Sequence, residues 1–327
     1  MINIKRAFSL IEVIFVLIIL GIVASISSQI IVQVYENYIT QKALYNTTTK
    51  TELVATQIVN RLSYVVDGTT VTKNLNTPLP YNATNENLNW RKLTNIITDN
   101  NFTTVEWIGY DNDSFSAGAT PFWSGVANYK TATKNSFSSP GSTFSSVNTI
   151  IGNLSGGRVK LDGTGTGLPA IVFREEAKKY SYTLDYSPAC MGLVLNDNNI
   201  TPFDNNVSCI SRVSMIDDTN LSFPDAKAKI VTERYKLVWS AYALIPIDPD
   251  GDGLFDLYLH YNYQPWNGDN FSKRADGTTT PRSLLIRDVS VFKFTENGGV
   301  LQLKLCATEN IGEDFGVSSC KEKAVIR

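Results

Sequence analysis

The sequence predicts an α+β fold: one long N-terminal helix, half membrane-spanning and half stalk, packs on an antiparallel β-sheet head with a loop-rich β insertion. Three observations predict it: an uninterrupted helical pattern over residues 8–65, period-two alternation of apolar residues in the last third, and an Asn-Gly turn signal at Asn297. The 327 residues are 43% hydrophobic, which is enough for one large domain or two modest ones and excludes disorder throughout the chain.

The helix is predicted from Phe8 to about Val65, because no proline precedes Pro78 and Gly21 is the one glycine in that interval. Its first half is apolar all round, as lipid requires, and its second half carries a stripe that a globular head must cover. That stripe consists of Leu44, Thr51, Ala55, Ile58, Leu62 and Val65.

The chain divides into five predicted segments. Residues 66–168 are rich in Asn, Thr, Ser and Gly, which favours long surface loops, and the strand signal strengthens from about residue 169. The segments are a short N-terminal stretch at 1–7, the membrane half of the helix at 8–30, its stalk half at 31–65, a loop-rich β insertion at 66–168 and a β-sheet head at 169–327.

Alternation predicts the strands of the head. Residues 231–243 favour a half-buried strand, and residues 255–263 favour a second strand with His260 on its exposed, polar face. The apolar face of the second strand consists of Phe255, Leu257, Leu259, Tyr261 and Tyr263. A hairpin around residues 296–299 leads into a strand with Leu301, Leu303 and Leu305 on one side.

The first residues combine charge with an apolar run in an unusual way. Lys5 and Arg6 precede Ala7 and Phe8, and Glu12 then interrupts the start of an apolar segment that continues to residue 26. A secretory signal has an uninterrupted apolar region, so this arrangement is not typical of one. A charged side chain in hydrocarbon costs ~3 kcal/mol, which predicts that the carboxylate has a partner or a function.

These residues resemble the leader of type IV prepilins and type II secretion pseudopilins, in which Phe is the first mature residue and Glu the fifth. The resemblance implies a leader at 1–7 and cleavage between Ala7 and Phe8 by a membrane prepilin peptidase, which methylates the new amine. It also implies that Glu12 pairs with the Phe8 amine of a neighbouring subunit. Ala7 stands where the family usually has glycine. The alternative is a plain anchor whose Glu12 reaches the lipid headgroups.

Charge sets the expected location. The cations Lys5 and Arg6 before the apolar run predict a cytoplasmic N-terminus with the head outside. The resemblance implies the bacterial inner membrane with a periplasmic head, and then a periplasmic or extracellular filament. The net charge of −2 gives the whole chain no basic surface for nucleic acid.

Four cysteines fit an oxidising compartment. Three connectivities are open, and local pairing of Cys190 with Cys209 and of Cys306 with Cys320 is favoured because each pair spans a short polar loop. A zinc site is disfavoured, since neither pair has C-x-x-C spacing and the chain has one histidine.

An Asp-rich stretch predicts a structural Ca²⁺ site. Aspartates occupy loop positions one, three, five and nine, Gly253 lies at position six, and position seven offers a backbone carbonyl. The predicted ligands are Asp248, Asp250, Asp252, Leu254 and Asp256. Position twelve is Leu259 instead of Glu, so Asp269, Asp276 or water would complete the shell. The alternative is a solvated acidic turn between two strands.

Nine Asn-x-Ser/Thr sequons occur, and four have Asp two residues before the Asn. This extended pattern resembles the acceptor of bacterial periplasmic N-glycosylation. The four candidate acceptors are Asn101, Asn199, Asn206 and Asn220.

Catalytic motifs do not stand out, and the sequence predicts a non-enzymatic assembly protein. The order of long helix, β insertion and late hairpins is similar to large minor pilins of the PilW kind and J-type (GspJ-like) pseudopilins. This layout implies a minor subunit that initiates or caps a type IV pilus-like or type II secretion filament, with other pilin or pseudopilin subunits as partners. The alternative is a membrane-tethered, calcium-dependent binding or hydrolytic domain.

Overall fold

The computed structural model describes residues 9–76, 89–93, 102–173, 190–194, 209–225, 231–297, 299–312 and 315–326. The described helices are α1 (Leu10–Leu62), α2 (Asn112–Phe115) and α3 (Phe144–Leu154), with a 3₁₀ turn at Pro265–Asn267. The described strands are β1 (Val71–Lys73), β2 (Trp90–Lys92), β3 (Val105–Tyr110), β4 (Ser136–Ser138), β5 (Ala170–Phe173), β6 (Ser211–Arg212), β7 (Ser214–Met215), β8 (Asn220–Ser222), β9 (Tyr235–Ile247), β10 (Phe255–Tyr263), β11 (Arg282–Asn297), β12 (Val300–Asn310) and β13 (Gly316–Ile326).

The predicted long helix is confirmed as α1, whose 53 residues span about 80 Å. By length and composition α1 is able to cross a membrane, and the side chains of residues 10–34 are exposed. The head does not cover this apolar first half, as a lipid-facing segment requires. At its other end the helix stops at Leu62, and Val65 lies beyond it in a β-bridge with Gly109.

The second half of α1 packs on the head, but the buried stripe differs from the predicted one at its start. Leu44 is 46% exposed, so its predicted place on the stripe is wrong. Ala43 and Thr47 are buried there instead, and the Thr47 hydroxyl donates to Glu309 Oε2 at 3.0 Å. The head meets this turn of the helix with polar side chains, so a small residue and a threonine fit where leucine does not.

A charged contact fixes the helix on the edge of the sheet. Glu52 of α1 accepts a hydrogen bond from Lys323 and lies 3.6 Å from the ammonium of Lys321, both on β13. The Lys323 hydrogen bond is the main reason that the pKa of the Glu52 carboxyl lies below its usual value. The contact lies next to the buried stripe and sets the register of α1 on β13.

The predicted antiparallel sheet is confirmed. Its main path runs β13-β12-β11-β10-β9-β3-β1-β2, and β5 and β6 pair beside β9 to make ten strands among the described residues. Strands β4, β8 and β7 form a smaller sheet. The predicted hairpin places Asn297 opposite Val300, and the three leucines of β12 point toward α1 in one buried cluster with Ile58 and Leu62. The result is an α+β head with its largest core between helix and sheet.

Strand β9 is buried on both faces, so the prediction of a half-buried strand is wrong. Leu244 packs on the α1 side, whereas Ala243 and Ile245 face a second apolar cluster on the other side. The residues that cover this second face come from distant parts of the chain, among them Trp266 and Phe271. Alternation along a strand cannot reveal covering residues that lie far away in sequence.

Two further predictions for β10 are wrong, one because of a bulge and one because of packing. The pairing of β10 with β9 shifts between His260 and Tyr263, where Asn262 has a φ of 57°. Tyr263 therefore lies on the face opposite Leu257, not on the same face as predicted. His260 is buried, not exposed: its Nδ1 lies 2.6 Å from the Phe271 carbonyl oxygen. Burial is also the main reason that the pKa of His260 is below its ordinary value.

The segment predicted as an insertion at 66–168 contributes to both sheets. Strand β3 pairs directly with β9 in the centre of the main sheet, and β1 and β2 extend that sheet to its edge. Strand β4 pairs with β8, which comes from the predicted head segment. Each sheet therefore contains strands from both sides of residue 168, so the predicted boundary does not divide the head into two separate sheets.

Candidate functional site

The N-terminal turn of α1 positions the Glu12 carboxylate. Ser9 is the N-cap, and its side chain accepts a hydrogen bond from the Ile11 backbone N–H at 3.4 Å. Glu12 lies in the first turn, where the positive end of the helix dipole favours a negative charge. Ala7 and Phe8 lie outside the described residues.

Ser9 is a residue that the sequence analysis missed. Serine followed three residues later by glutamate is the sequence signature of a capping box, which marks the start of a helix. The spacing of Ser9 and Glu12 fits this signature. Glu12 therefore lies in the first turn of α1, and its side chain is exposed like those of the rest of the membrane half of the helix.

Both local cysteine pairs are disulfide-bonded in the structure. Cys190 bonds to Cys209, and Cys306 bonds to Cys320 across the register pair that joins β12 to β13. This is the connectivity that the sequence analysis favoured. The second bridge fastens the edge strand that carries the lysines bound to Glu52, so it supports the seat of α1 on the head.

The Asp-rich stretch forms the loop between β9 and β10. Asp248, Asp250 and Asp252 are exposed and can each place a carboxylate oxygen within 4.8 Å of the others. Asp248 accepts backbone N–H bonds from Gly251 at 2.7 Å and Gly253 at 3.1 Å. The Gly251 bond is the main reason that the pKa of the Asp248 carboxyl is below its usual value.

The predicted ligand Asp256 and the two aspartates considered for completing the shell lie outside this group of three. Asp256 belongs to β10, where the Tyr258 hydroxyl donates to it at 3.4 Å, and it is not part of the three-carboxylate group. Asp269 is buried and lies 2.7 Å from the Arg158 guanidinium. Asp276 accepts bonds from the backbone and hydroxyl of Thr278. The structure thus brings together three of the four predicted carboxylates and neither candidate for completing the shell.

One predicted glycan acceptor lies among the described residues. The Asn220 amide nitrogen donates to both carboxylate oxygens of Asp217, at 2.9 and 2.8 Å, at the start of β8. Asn101, Asn199 and Asn206 lie outside the described residues. Glycosylation of the four sequons stays a prediction.

A buried charged cluster in the head was not predicted. Lys73 of β1 and Glu106 of β3 form an ion pair with side chains only 3% and 2% exposed. The Tyr263 hydroxyl donates to Glu106 Oε1 at 2.8 Å, and the Lys73 ammonium donates to the Leu193 carbonyl at 2.7 Å. The cluster ties β1, β3 and β10 to the segment that carries the first disulfide.

Comparison with known proteins supports the interpretation of the N-terminus. A family model described as the prokaryotic N-terminal methylation motif matches residues 2–28. No curated protein and no solved structure matches the chain. The matched residues include Glu12 and most of the membrane half of α1, so the chain carries a prepilin-type N-terminus that suggests membrane anchoring and assembly with other pilin-type subunits.

Proposed function

We propose that this chain is a minor pilin or pseudopilin of a type IV pilus-like or type II secretion filament. The observation that carries the proposal is the methylation motif at 2–28, whose residues from 10 onward belong to a helix of 53 residues that docks on a β-rich head. Within residues 9–35, Glu12 is the one charged side chain. A carboxylate kept in such a segment has a functional partner by default, and the amine of a neighbouring subunit supplies one.

The head supports a minor over a major subunit. A ten-stranded sheet with a second small sheet makes a bulky head, which packs poorly into a repeating shaft. The proposed place is therefore the tip, where the subunit initiates or caps the filament and contacts few neighbours. The head is proposed to be periplasmic before assembly, and the role is structural, without a reaction of its own.

Processing is the first expected result. Cells that contain prepilin peptidase are expected to yield a mature chain that begins at Phe8 with a methylated amine, as shown by N-terminal peptide mass. Ala7→Gly, which restores the usual residue before the cut, is expected to be cleaved at least as fast. A chain that retains residues 1–7 in such cells would favour the alternative of a membrane-tethered calcium-dependent domain.

Position in the filament is the second expected result. Immunogold labelling of the head is expected at one end of each filament and in few copies, because the bulky head does not fit a repeating lattice. An antibody to the major subunit provides the control for labelling along the whole shaft. Labels for this head along the shaft would contradict the assignment to the tip.

We also propose that the loop between β9 and β10 binds Ca²⁺ as a structural cofactor. Three carboxylates within reach of one ion suit a hard cation with oxygen ligands, and the exposed position leaves room for water to complete the shell. The proposed effect is to fix the turn between two central strands of the head.

Calcium is expected to raise the Tm of the detergent-solubilised chain. If free Ca²⁺ is about 100 times the Kd, the stabilisation is about 2.7 kcal/mol, which corresponds to roughly 4 to 5 °C at an unfolding entropy of about 2.1 cal/mol/K per residue. Asp250→Ala with Asp252→Ala is expected to abolish the shift between calcium and chelator, whereas the exposed Asp67→Ala leaves it intact. Equal Tm values in calcium and chelator would contradict the site.

A further inference from the structure

Strand β13 forms one edge of the ten-stranded sheet, because β12 is its one neighbour among the described strands. Its 11 residues pair with β12 without a register shift, so the edge is continuous over about 36 Å. Natural edge strands are usually short, bulged or interrupted by proline, which keeps other strands from pairing with them. β13 contains neither a proline nor a bulge. None of the functions described above uses its outer edge.

The pairing with β12 shows which backbone groups of β13 point outward. The Cα atoms of Cys306 and Cys320 are 4.0 Å apart. This spacing is close to the ~4.5 Å of a non-hydrogen-bonded antiparallel pair and far from the ~5.5 Å of a hydrogen-bonded pair. The N–H and C=O of Cys320 therefore point away from β12, and no backbone hydrogen bond joins this outer edge to another described residue. The same holds for every second residue of the strand: Ser318, Glu322, Ala324 and Ile326.

The charge on the α1 side of β13 is unbalanced. The ammonium groups of Lys321 and Lys323 share one carboxylate, that of Glu52 on α1. Both lysine side chains are 31% exposed, so one positive charge remains beside the open edge. Lysines often shield an edge strand, but here Glu52 holds them toward α1 and the outward backbone groups stay open. On the other side of β13, Glu322 is already paired with Lys304.

We propose that β13 accepts an added strand from another protein, an extended acidic segment that pairs antiparallel with this edge. Main-chain hydrogen bonds to the open N–H and C=O groups give affinity, and side chains at alternate positions give specificity. Antiparallel pairing continues the pattern of β10 to β13. Residues of the added strand that bond to β13 then have side chains on the side of Glu322. The residues between them point toward Lys321 and Lys323, where carboxylates balance the excess positive charge.

A second copy of this chain fits the edge less well. Helix α1 and strand β13 run in the same direction, since Thr48 contacts Ser319 and Glu52 contacts Lys323. Antiparallel pairing of two β13 strands would therefore reverse one α1 relative to the other. The apolar halves of the two helices would point in opposite directions, so both would not enter one membrane from the same side. A strand of a different protein is free of this constraint.

The test measures binding of labelled, acetylated seven-residue peptides to the detergent-solubilised full chain by fluorescence anisotropy. The peptide Thr-Glu-Thr-Glu-Thr-Glu-Thr is expected to bind, and the peptide with lysine in place of each glutamate is expected to bind about tenfold more weakly. N-methylation of the threonines blocks the bonds to β13 and is expected to weaken binding about tenfold. N-methylation of the glutamates, whose N–H groups point away from β13, is the matched control and is expected to leave the affinity unchanged.

A variant of the strand tests the same edge from the other side. Ala324→Pro removes one outward N–H, leaves the bonds to β12 in place, and is expected to weaken binding of the acidic peptide about fivefold. Ala324→Thr keeps the N–H and is expected to bind as the unaltered chain does. Thermal unfolding of each variant shows whether the head is intact.

Four outcomes would overturn the proposal: the acidic peptide does not bind, the lysine peptide binds as tightly, the two N-methylated peptides bind equally, or a folded Ala324→Pro chain binds as tightly as Ala324→Thr. The peptide comparison uses the unaltered chain, so the test stays decisive even if Ala324→Pro fails to fold. Self-association of the chain that Ala324→Pro abolishes would assign the edge to a second copy instead.

Discussion

Glu12→Ala is expected to leave the chain in the membrane while reducing its incorporation into filaments about tenfold or more. Removing the carboxylate makes the apolar segment more hydrophobic, so insertion does not suffer. In the filament, the carboxylate is proposed to pair with the methylated amine of a neighbouring Phe8 in a lipid environment. A loss of about 1.4 kcal/mol in that contact already reduces the equilibrium tenfold. The measurement is the amount of the subunit in sheared filaments relative to the membrane fraction.

Two control variants separate assembly from helix structure. Glu12→Gln keeps the side-chain shape and a hydrogen-bond acceptor at the third helical position, so it preserves the cap but removes the charge. It is expected to assemble as poorly as Glu12→Ala. Glu36→Ala removes the next charged side chain along α1, an exposed carboxylate beyond the apolar segment, and is expected to assemble normally. Full incorporation of Glu12→Ala would contradict the proposed pairing.

The helix and the late strands could be predicted because their signals are local. The absence of proline and the apolar run identified α1 within a few residues of its ends, and the Asn-Gly pair located the β11–β12 hairpin. The prepilin-type signal is also local, since its residues lie within eight consecutive positions, 5–12. Its agreement with the motif matched at 2–28 reflects this short range.

The errors arose where burial depends on distant residues. Alternation predicted one solvent-exposed face for β9 and for β10, but residues outside each strand cover the second face. Trp266 and Phe271 lie in the cluster on the second face of β9, and His260 of β10 is buried next to Phe271, whose carbonyl oxygen lies 2.6 Å from its Nδ1. One left-handed residue, Asn262, then reverses the direction of Tyr263. A non-glycine residue in that conformation is uncommon, so the pattern of side chains before the bulge gave no warning of it.

The grouping of three aspartates in the Asp-rich loop could be predicted because it depends on a short stretch of sequence. Asp248, Asp250 and Asp252 belong to one turn, and the turn brings them together. The candidates for completing the shell depended on tertiary structure that the sequence does not encode locally. Asp269 is held by Arg158, which precedes it by 111 residues.

Glu106→Gln is expected to destabilise the head by about 3–5 kcal/mol, the usual cost of removing one member of a buried ion pair. The substitution keeps the shape of the side chain and an oxygen for the Tyr263 hydroxyl, so the loss isolates the charge beside the Lys73 ammonium. The Tm is expected to fall by roughly 4 to 9 °C, measured by thermal unfolding of the detergent-solubilised chain.

Two further variants compare the buried Lys73–Glu106 pair with an exposed pair and with removal of both buried charges. Glu322→Gln breaks an exposed contact with Lys304 at 2.9 Å and is expected to cost less than about 1 kcal/mol. Lys73→Met with Glu106→Gln removes both buried charges, keeps an oxygen for the Tyr263 hydroxyl, and is expected to recover most of the stability lost in Glu106→Gln, because no uncompensated buried charge remains. A Glu106→Gln variant as stable as Glu322→Gln would show that water reaches the pair and that β1 and β3 are not held by it.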